Sequence, residues 1–179
     1  MTNARLKNAF HYVISVTNAA HMEFGATQLI KTILFADVIS LMRRKKAISG
    51  ATFVKDKYGP VPDGYIRAIK ELKAEKRIRR IPPAQKGDST RFISLTGPDL
   101  SLFTQEETDI LAGVAKEIAQ NYTAAMISDL THNDIWQMSD KGEKIPLAAY
   151  FPSRVIPSTP AQIQATRKEL EAKGYEFVA

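Results

Sequence analysis

Three histidines are the first candidates for chemistry, and their positions do not cooperate. His11, His21 and His132 are far apart and lack metal-ligand spacing. No HExxH, no phosphate-cradling GxxxxGK[ST] and no dinucleotide-binding GxGxxG occurs. Ser128, Asp129 and His132 fall close together, and helical spacing puts Asp129 and His132 on one face. A hydrolase would also need a nucleophile elbow and an oxyanion glycine, and neither accompanies them. The pair reads as satisfying itself at a helix end. His132 and Trp136, four residues apart, read as a local pack. Asp37 interrupts an apolar helix with no second carboxylate or histidine three or four residues away. It reads as structural, either on a polar edge with Lys31 or Arg44 or buried with a partner. There is no cysteine, which excludes disulfides, thiolate nucleophiles and zinc–thiolate sites. The expectation is a protein without catalytic residues, metal or cofactor.

Charge is more informative than its total. The chain of 179 residues carries +6. Residues 43 to 91 hold 15 Lys and Arg against 5 Asp and Glu, a net +10, while the remainder holds 10 against 14. Such a basic module attracts phosphate backbones or an acidic protein partner, or simply solvates one face. Apolar residues at 44% and charged residues at 25% suit an ordinary globular chain with a sizeable core. No apolar run approaches the roughly 20 residues of a membrane helix. Met1 to Phe10 lacks a signal peptide's apolar stretch, so the expected location is the cytoplasm.

The elements that must position these residues centre on Tyr58, Gly59, Pro60, Val61 and Pro62. Each proline restricts itself and the residue before it, so this stretch is stiff and a helix begins only after Pro62. Ala51 to Val54 reads as a strand, Asp63 to Lys76 as an amphipathic helix, and Arg77–Ile81 with Arg91–Leu95 as a hairpin tipped by Lys86-Gly87-Asp88. A strand, a helix and a hairpin in that order resemble half of a winged helix-turn-helix. Ile66, Ile69 and Leu72 are expected inward with Tyr65 beside them. Arg67, Lys70, Lys73 and Arg77 form a basic stripe, a candidate for nucleic-acid contact without the polar residues commonly used for base readout.

On either side the chain is helical. Ala4–Ala19 turns Leu6, Phe10, Val13 and Ile14 to one face. Gln28 to about Lys45, capped by Thr27, is apolar over most of its surface and reads as a central core helix closed by Arg43-Arg44-Lys45-Lys46. Thr104 and Glu107 form a capping box for a helix to about Gln120. Ala124 to about Thr131 carries Met126, Ile127 and Leu130, and Gly142–Pro146 forms a turn. The fold class is mainly α within α+β, a helical bundle with a small antiparallel β element and a winged-helix-like centre. One domain covers 1–152, and a linker with a last helix covers 153–179.

Five pieces in order carry a resemblance. They are Leu29 to Asp37; Gly50-Ala51-Thr52-Phe53 with Lys57 to Pro62; Phe92 to Thr96; Leu130-Thr131-His132 before Trp136; and Gly142-Glu143-Lys144-Ile145-Pro146. Over roughly Phe10 to Tyr150 the chain resembles the SocA-like Panacea antitoxin domain, which is common in prophages. The resemblance makes Asp37, Thr131, His132, Gly142, Glu143, Ile145 and Pro146 motif positions. It implies a mostly helical fold and an antitoxin that neutralises a toxin encoded by the adjacent gene, by direct binding. One kind of member delivers its toxin to a AAA+ protease, so that protease is a second candidate partner. The surface expected to bind a partner is Tyr58, Gly59, Pro60, Val61 and Pro62 with Tyr65 and Trp136, since a stiff loop loses little entropy on docking and Tyr and Trp are frequent hot spots. The alternative is a winged-helix-like DNA-binding regulator using Arg67, Lys70, Lys73 and Arg77.

Overall fold

A computed structural model describes residues 3–85 and 88–151. The linker and helix expected over 153–179, and the hairpin tip at Lys86 and Gly87, lie outside the described residues. The fold is mixed α+β and mainly helical, with small antiparallel sheets, as expected.

Helix α1 (Ala4–Ala19) forms where its apolar spacing places it and buries Leu6, Phe10, Val13 and Ile14. Helix α2 (Ala26–Arg44) is the hub: it touches α1, β2 (Gly59–Pro62), α4 (Gln105–Asn121), α5 (Ala124–Asp129) and the 3₁₀ turn Leu147–Tyr150. That placement explains why it is apolar on most of its surface. Its cap is Gly25 and not Thr27. Gly25 bridges to Arg91, and the Gln28 side chain accepts its N–H at 2.9 Å, so the helix starts earlier in the chain than a cap at Thr27 would place it.

The central module differs from its expected outline in an instructive way. Strand β1 (Phe53–Asp56) pairs antiparallel with β2, with Val54 opposite Val61 and Asp56 opposite Gly59. The stretch read as a stiff loop is therefore a strand. The prolines permit this because β2 lies at the edge of its sheet, with β1 on one side only. The bonded pairs alternate, and Asp63 N donates to Thr52 O at 2.7 Å. Pro60 and Pro62 thus fall on the positions whose missing N–H would face away from β1. Because Asp63 continues this ladder, helix α3 starts later than expected, at Tyr65 after Gly64 (φ 79°), and ends at Ala74. Its buried residues are Ala68 and Leu72. Ile66, expected inward, is 55% exposed.

The hairpin β3 (Ile78–Ile81) with β4 (Arg91–Ser94) forms a second sheet. The capping box of α4 is present as read, with Thr104 and Glu107 bonded reciprocally. In α5 only Ile127 of the three expected apolar residues is buried; Met126 and Leu130 face out because the helix is a turn and a half long and lays one edge on α2. After α6 (Asp134–Met138), the segment read as a turn holds strand β5 (Lys144–Ile145), which pairs with the free side of β1. Main-chain bonds from Gly142 N to Lys55 O (2.9 Å) and Lys55 N to Glu143 O (2.8 Å) lock it.

Candidate partner-binding face

Three main-chain carbonyls around the β1–β2 turn are each held by a side chain from elsewhere in the fold. Trp136 Nε1 donates to Asp56 O at 3.2 Å, Ser128 Oγ to Tyr58 O at 3.0 Å and Lys31 Nζ to Pro60 O at 2.9 Å. The turn is thereby tied to α6, α5 and α2. A buried lysine is unusual, and its position gives the reason: the outward carbonyl of a proline-containing edge strand would otherwise lie buried without a donor. Burial holds the Lys31 ammonium well below its ordinary value, to about 7, although Asp56 draws it back up. Lys31 carries its role through tertiary placement: along the helix it looks like any polar residue on a narrow edge.

Gly59 is required by the same arrangement. Its φ is 90°, and a Cβ there would lie 2.2 Å from Thr131 Oγ1 and 2.5 Å from Lys31 Nζ. Thr131 is itself fixed, donating to Ser128 O at 2.7 Å and accepting from Tyr150 OH at its carbonyl at 3.1 Å. Asp37, another motif position, is buried with partners, one of its two expected settings. Its carboxylate accepts the N–H groups of Ile48 and Ser49, both at 2.7 Å, and the Ser49 hydroxyl. Burial pushes its carboxyl up to about 6 against these donors. Asp37 thereby pins the connection between α2 and β1.

His132 and Trp136 stack with ring centroids 3.9 Å apart and planes at 16°. Lys55 Nζ lies 4.6 Å from the Trp136 ring and donates to Gln137 O and Ser139 O, closing the C-terminal end of α6. His132 Nδ1 is 3.8 Å from Asp129 Oδ1. Burial, then Lys31, lowers the His132 pKa. Ser128 donates to the Tyr58 carbonyl, so its hydroxyl is already committed to the scaffold. Among the described residues no group of three or more His, Asp or Glu is placed to hold a metal ion. No helix among the described residues is long and apolar enough to cross a membrane.

The expected binding residues separate by depth. Gly59, Pro60, Val61 and Pro62 are buried, Tyr65 and Trp136 are half-buried, and Tyr58 is 61% exposed. The motif positions separate too: Ile145 is buried, and Gly142, Glu143 and Pro146 are exposed around it. In the basic stripe, Arg67, Lys70 and Lys73 are exposed and make no ion pair among the described residues. Arg77 leaves the stripe: it donates to Asn8 Oδ1 of α1 at 3.1 Å and lies 3.7 Å from Glu75. Arg44, from the basic run that closes α2, is committed to Glu106 and Glu107.

The body is mainly helical, and three of its side chains, Lys31, Ser128 and Trp136, fix one β turn. The chain belongs to the family described as antitoxin SocA-like, Panacea domain, whose model matches residues 29–137. That span runs from α2 to α6 and contains each of the three side chains that hold the turn. No curated protein and no solved structure matches the chain.

Proposed function

We propose that the protein is an antitoxin that neutralises a cognate toxin by direct protein–protein binding, without catalysis of its own. Family membership supports the class. The observation that carries the binding mode is Tyr58, exposed at the tip of a turn whose carbonyls are held by Lys31, Ser128 and Trp136. An aromatic side chain on a main chain already immobilised loses little further entropy on docking, which is the economy a hot-spot residue needs. In this reading Tyr58, Tyr65 and the Trp136 edge make contact, and Gly59 to Pro62 serve as the stiff support. The toxin is the product of the adjacent gene, met in the cytoplasm, and delivery of the complex to a AAA+ protease is a further step open to such a module.

Co-expression with the adjacent reading frame tests it. That frame alone should arrest growth, and this protein should restore growth and co-purify with the product. Tyr58→Ala should weaken the complex at least about 10-fold. A harmless neighbour, or one that stays lethal beside this protein, would reject the reading. A second reading, DNA binding, draws on Arg67, Lys70 and Lys73, exposed and without an ion pair among the described residues; it requires a gel shift at low salt that fades as salt rises.

A further inference from the structure

Helix α3 presents two stripes of opposite character. Ala68 and Leu72 are buried, with Tyr65 and Ile69 beside them. At about 100° per residue, Ile66, Lys70 and Lys73 share the other stripe, spaced i, i+4 and i+7. Ile66 is therefore an apolar residue, 55% exposed, set in the middle of a cationic face. Two grooves flank it. One, of about 510 Å³, has Val54, Val61 and Pro62 on its floor and Arg67, Lys70 and Lys141 around it. The other, of about 260 Å³, is floored by Leu29, Ile30 and Phe92 and edged by Lys73 and Arg80. Both include Tyr65, Ile66 and Lys70, so they form one track across the helix.

Resting on the antitoxin reading, we infer that this track receives an acidic segment of the toxin, with an apolar side chain seated against Ile66 and carboxylates on Arg67, Lys70 and Lys73. Charge complementarity selects the occupant. Arg44 and Arg77 of the basic module are spent internally, on Glu107 and on Glu75 and Asn8, whereas the cations that line this track, Arg67, Lys70, Lys73 and Lys141, have no ion pair among the described residues. A nucleic acid fits the track less well than a protein. The apolar lining of both grooves gives a sugar–phosphate backbone nothing to pack against. An acidic peptide with an aliphatic or aromatic anchor uses both the floor and the rim. The track also continues onto Tyr65, so one partner can span it and the Tyr58 turn.

The test uses the full chain and the product of the adjacent gene. Arg67→Glu/Lys70→Glu and Ile66→Asp should each weaken the complex at least about 10-fold and abolish rescue of growth. Lys116→Glu, an exposed charge reversal on α4, should behave as the wild type. Matching thermal unfolding of all variants separates docking from folding, and Ile66→Leu should keep full affinity. Failure of the wild-type protein to neutralise the neighbour overturns the antitoxin reading and this inference with it. Wild-type neutralisation that survives both α3 variants overturns the inference alone. The same holds if the double variant loses binding to a labelled 30-base-pair DNA, or loses self-association in sedimentation, while its affinity for the toxin is unchanged.

Discussion

Lys31 shows how one side chain can be costly and still be required. Its ammonium is buried, yet it is the donor for the Pro60 carbonyl, which the edge position of β2 leaves without a strand partner. The cost has a definite sign. The folded-state pKa, about 7, lies below the ordinary 10.5, so between these values the unfolded chain binds the extra proton. Stability contributed by this group therefore rises with pH from about 7 towards 10.5, by up to about 1.4 kcal/mol per pH unit. Urea unfolding of the wild type between pH 7 and 10 should show that rise, and Lys31→Met should flatten it. Equal slopes for the two proteins would mean that the ammonium is not desolvated in the native state.

At the scale of elements, one carboxylate joins three helices. Glu107 closes the capping box of α4 by accepting Thr104 N at 3.0 Å, and its other oxygen lies 2.8 Å from Arg5 of α1 and 2.8 Å from Arg44 of α2. Burial works against its charge, but the Thr104 bond and the two guanidiniums outweigh burial and hold its carboxyl at about 2. Because the folded value is depressed, the stabilisation is complete above the ordinary value of 4.5 and disappears as pH falls towards 2. Glu107→Gln should cost about 2–4 kcal/mol at pH 7, and the wild type's extra loss between pH 4.5 and 2 should be missing in the variant. Thermal unfolding across that range checks both; a variant as stable as the wild type at pH 7 would reduce the triple junction to a surface ornament. The β1–β2–β5 sheet makes the complementary case: its strands are two to four residues long and hold because Trp136, Ser128 and Lys31 reach into the β1–β2 turn while Lys55 of β1 reaches out to the end of α6.

Across the whole molecule, charge is segregated by function of position. Glu106 and Glu107 of α4 pair with Arg44 at the end of α2, whereas Arg67, Lys70 and Lys73 on the outer side of α3 make no ion pair among the described residues. A complex built on that face should weaken as salt rises, because the Debye length shortens to about 10 Å at 0.1 M and further beyond it. Calorimetric titration with the neighbouring gene's product between 50 and 300 mM NaCl should show a several-fold loss of affinity for the wild type and a flatter response for Arg67→Glu/Lys70→Glu. A salt-independent Kd would place the interface away from α3.

Much of the fold and some of the candidate site were legible in the residues. Periodicity placed α1 and α4, the capping box at Thr104 and Glu107 announced itself, and the prolines located the rigid centre. These are local signals, decided by the next few residues along the chain. The pieces of motif between Leu29 and Trp136 likewise pointed to the antitoxin family that the match over 29–137 establishes. The depth of each residue was not legible in this way. Whether Tyr58 to Pro62 formed a loop or an edge strand depended on β1 and β5, with β5 more than 80 residues further on. Whether Ile66 faced the core depended on Asp63 joining that ladder and delaying α3. Whether Lys31 was a solvated charge or a buried donor depended on a carbonyl 29 residues away. Sequence determined the class of protein and the place of its stiff turn, because those follow from local conformational preference. Tertiary structure alone decided which side chains support that turn and which stay exposed, because burial is set by contacts between segments that are remote along the chain.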